Sequence, residues 1–175
     1  ERLGLISRDE GIDVSNDVLE AVARMANGGM RDAQSILDQL ISFCGKKIAI
    51  EDVLDVYGMV SSEEILELSQ ALAKADYPRI LELTDKWVNE GRDLYRILVD
   101  LEKSIRDGLL DAVRNNGETN VFGVPVGAES LMRLLEVLHA GEADVRTGLS
   151  ERVNFEVTLL KAVDRSRTRA IDRVL

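Results

Sequence analysis

Arg31 stands where a helix least favours a positive charge. The stretch "NGGMRDAQSILDQ", residues 27–39, places two glycines and then an arginine at the start of an amphipathic pattern. Amide groups at a helix N-terminus carry partial positive charge, which opposes an arginine there by about 0.3–1 kcal/mol. The same unpaired N–H groups make such a start a natural place for an anion. Guanidinium is permanently charged and forked, so it suits a phosphate oxygen better than an ammonium does. Gly28 and Gly29 let a ligand or another backbone approach closely, while Asp32 supplies the acidic residue that a helix start favours. The residues by themselves leave two readings open: an anion sensor, or a capped helix with a surface arginine.

Other chemistry is sparse. The sequence has no G-x-x-x-x-G-K-[ST] phosphate loop and no strand pattern ahead of a glycine cluster, so this stretch cannot cradle a nucleotide unaided. The carboxylate pairs Glu51–Asp52 and Glu63–Glu64 fall at helix starts, where capping explains them. Cys44 and His139 are the single cysteine and single histidine, so no intramolecular disulfide, no zinc cluster and no cysteine–histidine catalytic pair of sequence neighbours is expected. Both read as packing residues. A helix-turn-helix around residue 28 would set Asp32 and Asp38 against DNA phosphates, with Arg31 as its one basic residue before Lys46.

The positioning elements are helical. Aromatic content is 4%, prolines number two, and 45% of residues are hydrophobic, a composition that favours an all-α chain with a buried core. The net charge of -10 argues against a nucleic-acid glove, although residues 146–175 carry seven basic and four acidic side chains. Arg165, Arg169 and Arg173 share one side of that segment, a candidate contact surface for an acidic neighbour or nucleic-acid backbone. No signal peptide or apolar run of about 18 residues occurs, which points to a cytoplasmic chain without a membrane partner.

Two helical units emerge, residues 1–60 and 61–175. Leu3 and Ile6 read as the end of a helix begun earlier, so the chain is expected to be part of a longer protein. Ser15 is positioned to cap a helix to about Asn27 with Val18, Leu19, Val22, Ala23 and Met25 or Ala26 inward, and Gly28 to close it. A second helix spans Met30 to Phe43, with Ala33, Ile36, Leu37, Leu40 and Ile41 inward. A short third helix turns Val53, Leu54 and Val56 inward before Gly58. "SSEE" at 61–64 is a capping box that opens the second unit. Five helices follow: one with Ile65, Leu66, Leu68 and Leu72; one with Ile80, Leu81, Leu83, Trp87 and Val88; a long one over Asp93–Arg114 whose stripe runs from Leu94 to Val113; one from Ala128 past Gly141 to Thr147; and one from Arg152 onward. The loop between the third and fourth is expected to pack partly through Val121, Phe122 and Val124.

"GGMRDAQSILDQLISF" resembles the sensor 2 motif of AAA+ clamp loader subunits of bacterial DNA polymerase III, joining Gly-x-x-Arg-Asp-Ala to Ser35, Asp38 and Gln39 at fixed spacing. "IEDVLDVYGMV" is similar to that family's third lid helix. "RVNFEVTLLKAV" is similar to the opening of its last collar helix, with Arg152, Glu156, Leu159 and Leu160 in place. Gln34 departs from the family's usual apolar residue at a position expected to face outward. The resemblance implies a three-helix lid (1–60) and a five-helix collar (61–175) following an ATP-binding domain outside this stretch. It implies Arg31 against the γ-phosphate of ATP, Met30 near the nucleoside, ATP and magnesium as cofactors of the whole protein, and no nucleotide held by this stretch alone. The implied partners are the other clamp loader subunits through the collar, the sliding clamp and primed DNA, and polymerase and helicase where a tau-type tail follows. The competing reading is a free-standing helical adaptor that never meets nucleotide.

Overall fold

The computed structural model describes residues 11–26 and 29–172, with side chains through Arg167. Leu3, Ile6, Asn27, Gly28 and the side chains of Arg169 and Arg173 lie outside the described residues. The chain divides into two units, Glu1–Met59 and Val60–Leu175.

In the first unit, β1 (Asp13–Val14) leads into α1 (Asn16–Met25) and α2 (Met30–Cys44), followed by β2 (Lys47–Ile48) and α3 (Ile50–Val56). Val18, Ala21 and Val22 of α1, with Ala26 just past its end, face inward beside Ala33, Leu37 and Leu40 of α2 and Val53 of α3. The expected face of α1 was set too far round the helix: Ala23 is exposed and Ala21 is buried. Val56 is likewise exposed, because α3 is only two turns long and buries Val53 alone. Asp52 caps α3 by accepting from the Ala49 N–H at 2.8 Å. Gly45 ends α2 at φ +79°, in the region that L side chains rarely adopt, while its N–H still donates to the Ile41 carbonyl. Strands β1 and β2 pair in parallel, Asp13 opposite Lys47 and Val14 opposite Ile48. Two-residue strands are too short to show as alternation in a sequence.

The second unit is a five-helix bundle: α4 (Ser62–Lys74), α5 (Tyr77–Asn89), α6 (Leu94–Arg114), α7 (Ala128–Thr147) and α8 (Glu151–Asp172). Between α6 and α7, β3 (Glu118–Thr119) and β4 (Val126–Gly127) form an antiparallel pair. Trp87, Phe122 and Phe155 are fully buried in a core threaded by α6. Three residues expected to face inward, Leu66, Leu81 and Val113, are exposed, and small residues take the inward positions beside two of them. Ser69 is buried on α4, donating to the Ile65 carbonyl and sharing a 2.8 Å hydrogen bond with Ser104. Ala112 is buried on α6 where Val113 is not. In the loop, Phe122 is buried, Val124 is half-buried and Val121 is exposed.

The capping box at 61–64 forms as the sequence predicts. Ser61 Oγ accepts from the Glu64 N–H at 3.2 Å, and Glu64 Oε2 accepts from the Ser61 N–H at 3.0 Å. Glu64 Oε1 also accepts from Lys86 Nζ at 2.6 Å and Trp87 Nε1 at 3.3 Å, fastening α4 to α5. Burial of this carboxyl opposes its ionisation. Hydrogen bonds from Lys86, Ser61 and Trp87, together with the Lys86 charge, outweigh that and hold it below its ordinary value of 4.5. A carboxylate depressed in the folded state contributes stability that is present above the ordinary value and lost as pH falls through the folded one. Glu64→Gln is therefore expected to cost ~1 kcal/mol at neutral pH and nearly nothing in acid. Urea denaturation followed through Trp87, the single tryptophan, reads this, and an equal loss at both pH values would refute it.

Candidate nucleotide-sensing site

Helix α2 begins abruptly. Gly29 is its N-cap, with extended backbone at φ -74° and ψ 111°, and its N–H donates to the Ala26 carbonyl at 2.8 Å. A Cβ on Gly29 would come 2.7 Å from Asp32 Oδ2 and 3.1 Å from the Ala26 carbonyl oxygen, so the Asp32 carboxylate lies over the glycine. Asp32 thus places negative charge at the positive end of the helix, where it is favoured.

Arg31, one residue into the helix, is exposed and forms no ion pair with any described carboxylate. Met30 beside it is half-buried. Two other polar side chains of the motif are used by the fold. Ser35 Oγ donates to the Arg31 carbonyl at 3.1 Å, and Gln39 Oε1 accepts from the Tyr57 hydroxyl at 2.8 Å, tying α2 to the end of α3. Gln34 faces solvent. The site therefore presents a guanidinium with no ion-pair partner among the described residues, on a helix held by the Gln39–Tyr57 bond and the Leu37 and Leu40 contacts. Gly28, the other glycine singled out from the sequence, lies outside the described residues.

In the second unit, Arg152 bridges helices, with its NH2 group 2.5 Å from Asp85 Oδ1 and its Nε donating to Glu156 Oε1 at 2.8 Å. Glu151 Oε1 accepts from the Tyr95 N–H at 3.1 Å, so α8 also caps the start of α6. Leu159 is buried and Arg165 is exposed.

Cys44 is half-buried against the first core, where burial and then the Asp52 charge push its thiol up, as suits a packing residue. His139 is not one: its side chain is 77% exposed. Its Nδ1 lies 3.2 Å from Glu142 Oε1 and 3.7 Å from Glu102 Oε2. Burial, reinforced by the adjacent Glu142 carboxylate, pushes Glu102 up to about 7. Sequence reading missed this cluster because Glu102 is distant in the chain from the other two, and joins them through the packing of α6 on α7.

Residues 1–46 match the family described as DNA polymerase III clamp loader subunit, ATPase lid domain. DNA polymerase III subunit tau of Bacillus subtilis is 29% identical over 182 aligned positions that take in 98% of this chain and 32% of the relative. The gamma/tau subunit of Mycobacterium tuberculosis is 26% identical over 170 positions, 89% of this chain and 29% of that protein. Protein STICHEL-like 1 of Arabidopsis thaliana is 28% identical over 167 positions, 91% and 15% of the respective chains. The chain is similar to DNA polymerase III clamp loader subunits, and it spans about a third or less of the length of the proteins it matches. Among the described residues no helix is long and apolar enough to cross a membrane.

Proposed function

We propose that this chain is the lid and collar of a cytoplasmic clamp loader subunit. In this reading Arg31 meets the γ-phosphate of ATP held by an ATPase domain elsewhere in the natural protein, and Met30 packs toward the nucleoside. The five-helix unit, residues 61–175, is the collar that joins the subunit to others in a pentameric ring, which loads the sliding clamp on primed DNA. A tau-type tail would add polymerase and helicase as partners. The observation that carries the reading is the exposed Arg31 guanidinium at the start of α2, unpaired among the described residues and inside the stretch that matches the lid family.

The residues present suit the nucleotide. ATP, with its magnesium ion, supplies the terminal phosphate charge. A forked cation with no competing carboxylate among the described residues is free to bind it. Gly29 keeps the backbone bare beside the arginine, while Asp32, folded against Gly29, serves the helix start rather than the arginine. Because α2 is fastened to α3 through Gln39 and Tyr57, a pull on Arg31 moves the helix pair as one body.

Assembly tests the collar half of the reading. The natural protein, mixed with the other clamp loader subunits of its own genome, is expected to co-elute with them as a five-subunit ring by size exclusion with light scattering. Exclusion from a ring that the other subunits form without it would refute the proposal.

A further inference from the structure

We propose that Glu102 of α6 and His139 and Glu142 of α7 form a binding site for Zn²⁺ that links the two helices. Imidazole nitrogen with two carboxylate oxygens is a donor set for a borderline transition ion rather than for calcium or magnesium, which favour all-oxygen shells. The ligand atoms, Nδ1 and one oxygen from each carboxylate, all lie within 4.8 Å of one another. Zinc bonds of about 2.0–2.2 Å set tetrahedral ligands about 3.4 Å apart. The observed separations from Nδ1, 3.2 Å to Glu142 and 3.7 Å to Glu102, bracket that value.

Three further features separate this cluster from ordinary surface acids. His139 and Glu142 are three residues apart on one helix, so both project from the same face toward Glu102. Glu102 is mostly buried, with a side-chain exposure of 16%, and its Oε1 is a buried oxygen with no hydrogen-bond partner among the described residues. Neither Glu102 nor Glu142 pairs with a described lysine or arginine, so two neighbouring carboxylates share no cation except the imidazole when it is protonated. A divalent ion would supply that missing charge. Nδ1 is the nitrogen facing both acids, which leaves Nε2–H to solvent on the exposed edge of the ring. A water molecule would complete a four-coordinate shell.

The lone histidine makes the test specific. ZnCl₂ titrated calorimetrically into the tag-free 175-residue chain is expected to bind at one ion per chain and to shift the resonances of the single imidazole. His139→Ala and Glu102→Gln are each expected to weaken binding about tenfold or more. Cys44→Ser is expected to retain it, with no comparable binding of Ca²⁺ or Mg²⁺. His139 is exposed, so its replacement leaves the bundle folded. Zinc binding that survives His139→Ala unchanged, or imidazole resonances that stay in place at saturating zinc, overturns the assignment.

Discussion

On the proposed reading, Arg31→Ala in the natural protein is expected to reduce ATP-dependent clamp loading by about a hundredfold or more while leaving the first unit folded. The two halves of that outcome have separate physical causes. The side chain is exposed and pairs with no described carboxylate, and its replacement removes a positive charge from the positive end of α2. Stability of the 175-residue chain should therefore change by no more than about 0.5 kcal/mol, readable as thermal unfolding. The functional loss comes from the phosphate side. A charged donor aimed at concentrated negative charge in a water-poor site is worth about 2.7–4 kcal/mol. Arg31→Lys keeps the charge and loses the fork, so it should fall between wild type and alanine. Loading on primed DNA and ATP hydrolysis are measured together, and normal values of both for the alanine variant would refute the role given to Arg31.

What could be read in advance follows from how far apart in the chain the interacting groups lie. The capping box joins residues three apart, Ser61 and Glu64, and the structure forms it as written. The eight helices among the described residues follow from apolar spacing at helical intervals, and the break between the units follows from that cap. Helix faces were less legible, because spacing marks large apolar residues and not the small ones that fit closest to a neighbour. Ala21, Ser69 and Ala112 are buried, while Ala23, Leu66, Leu81 and Val113 stay in solvent. A buried serine is affordable when it bonds to its own helix, as Ser69 does with the Ile65 carbonyl. At the candidate site, Arg31 was visible as a conflict of charge with helix polarity, and Asp32 as the acid that polarity favours. The Gln39–Tyr57 bond spans 18 residues and depends on how α3 folds back, which no local pattern encodes. The acidic pair around His139 was hidden for the same reason.

Gly141→Ala is expected to destabilise the second unit by about 1–3 kcal/mol, the reverse of what its place in a helix would imply. Glycine inside a helix is less favourable than alanine by about 0.8–1.0 kcal/mol, so on propensity alone the substitution should stabilise α7. Packing decides against it. Gly141 is buried where α7 crosses α8, and a Cβ there would overlap the Oγ1 and Cγ2 atoms of Thr158 and lie 3.0 Å from its Cβ. Thr158 is itself 6% exposed, and a β-branched side chain on a helix has few rotamers in which to withdraw, so the helices must separate instead. Adding Thr158→Ala removes the two overlapping atoms and leaves room for the new methyl after a shift of a few tenths of an ångström. The double variant is therefore expected to recover most of the loss, giving a favourable coupling between the sites of about 1 kcal/mol or more. Urea denaturation followed through Trp87, buried in the same bundle, measures all four corners of the cycle. A neutral or stabilising Gly141→Ala, or strict additivity in the double variant, would show that α7 and α8 are not in the close contact that Gly141 permits.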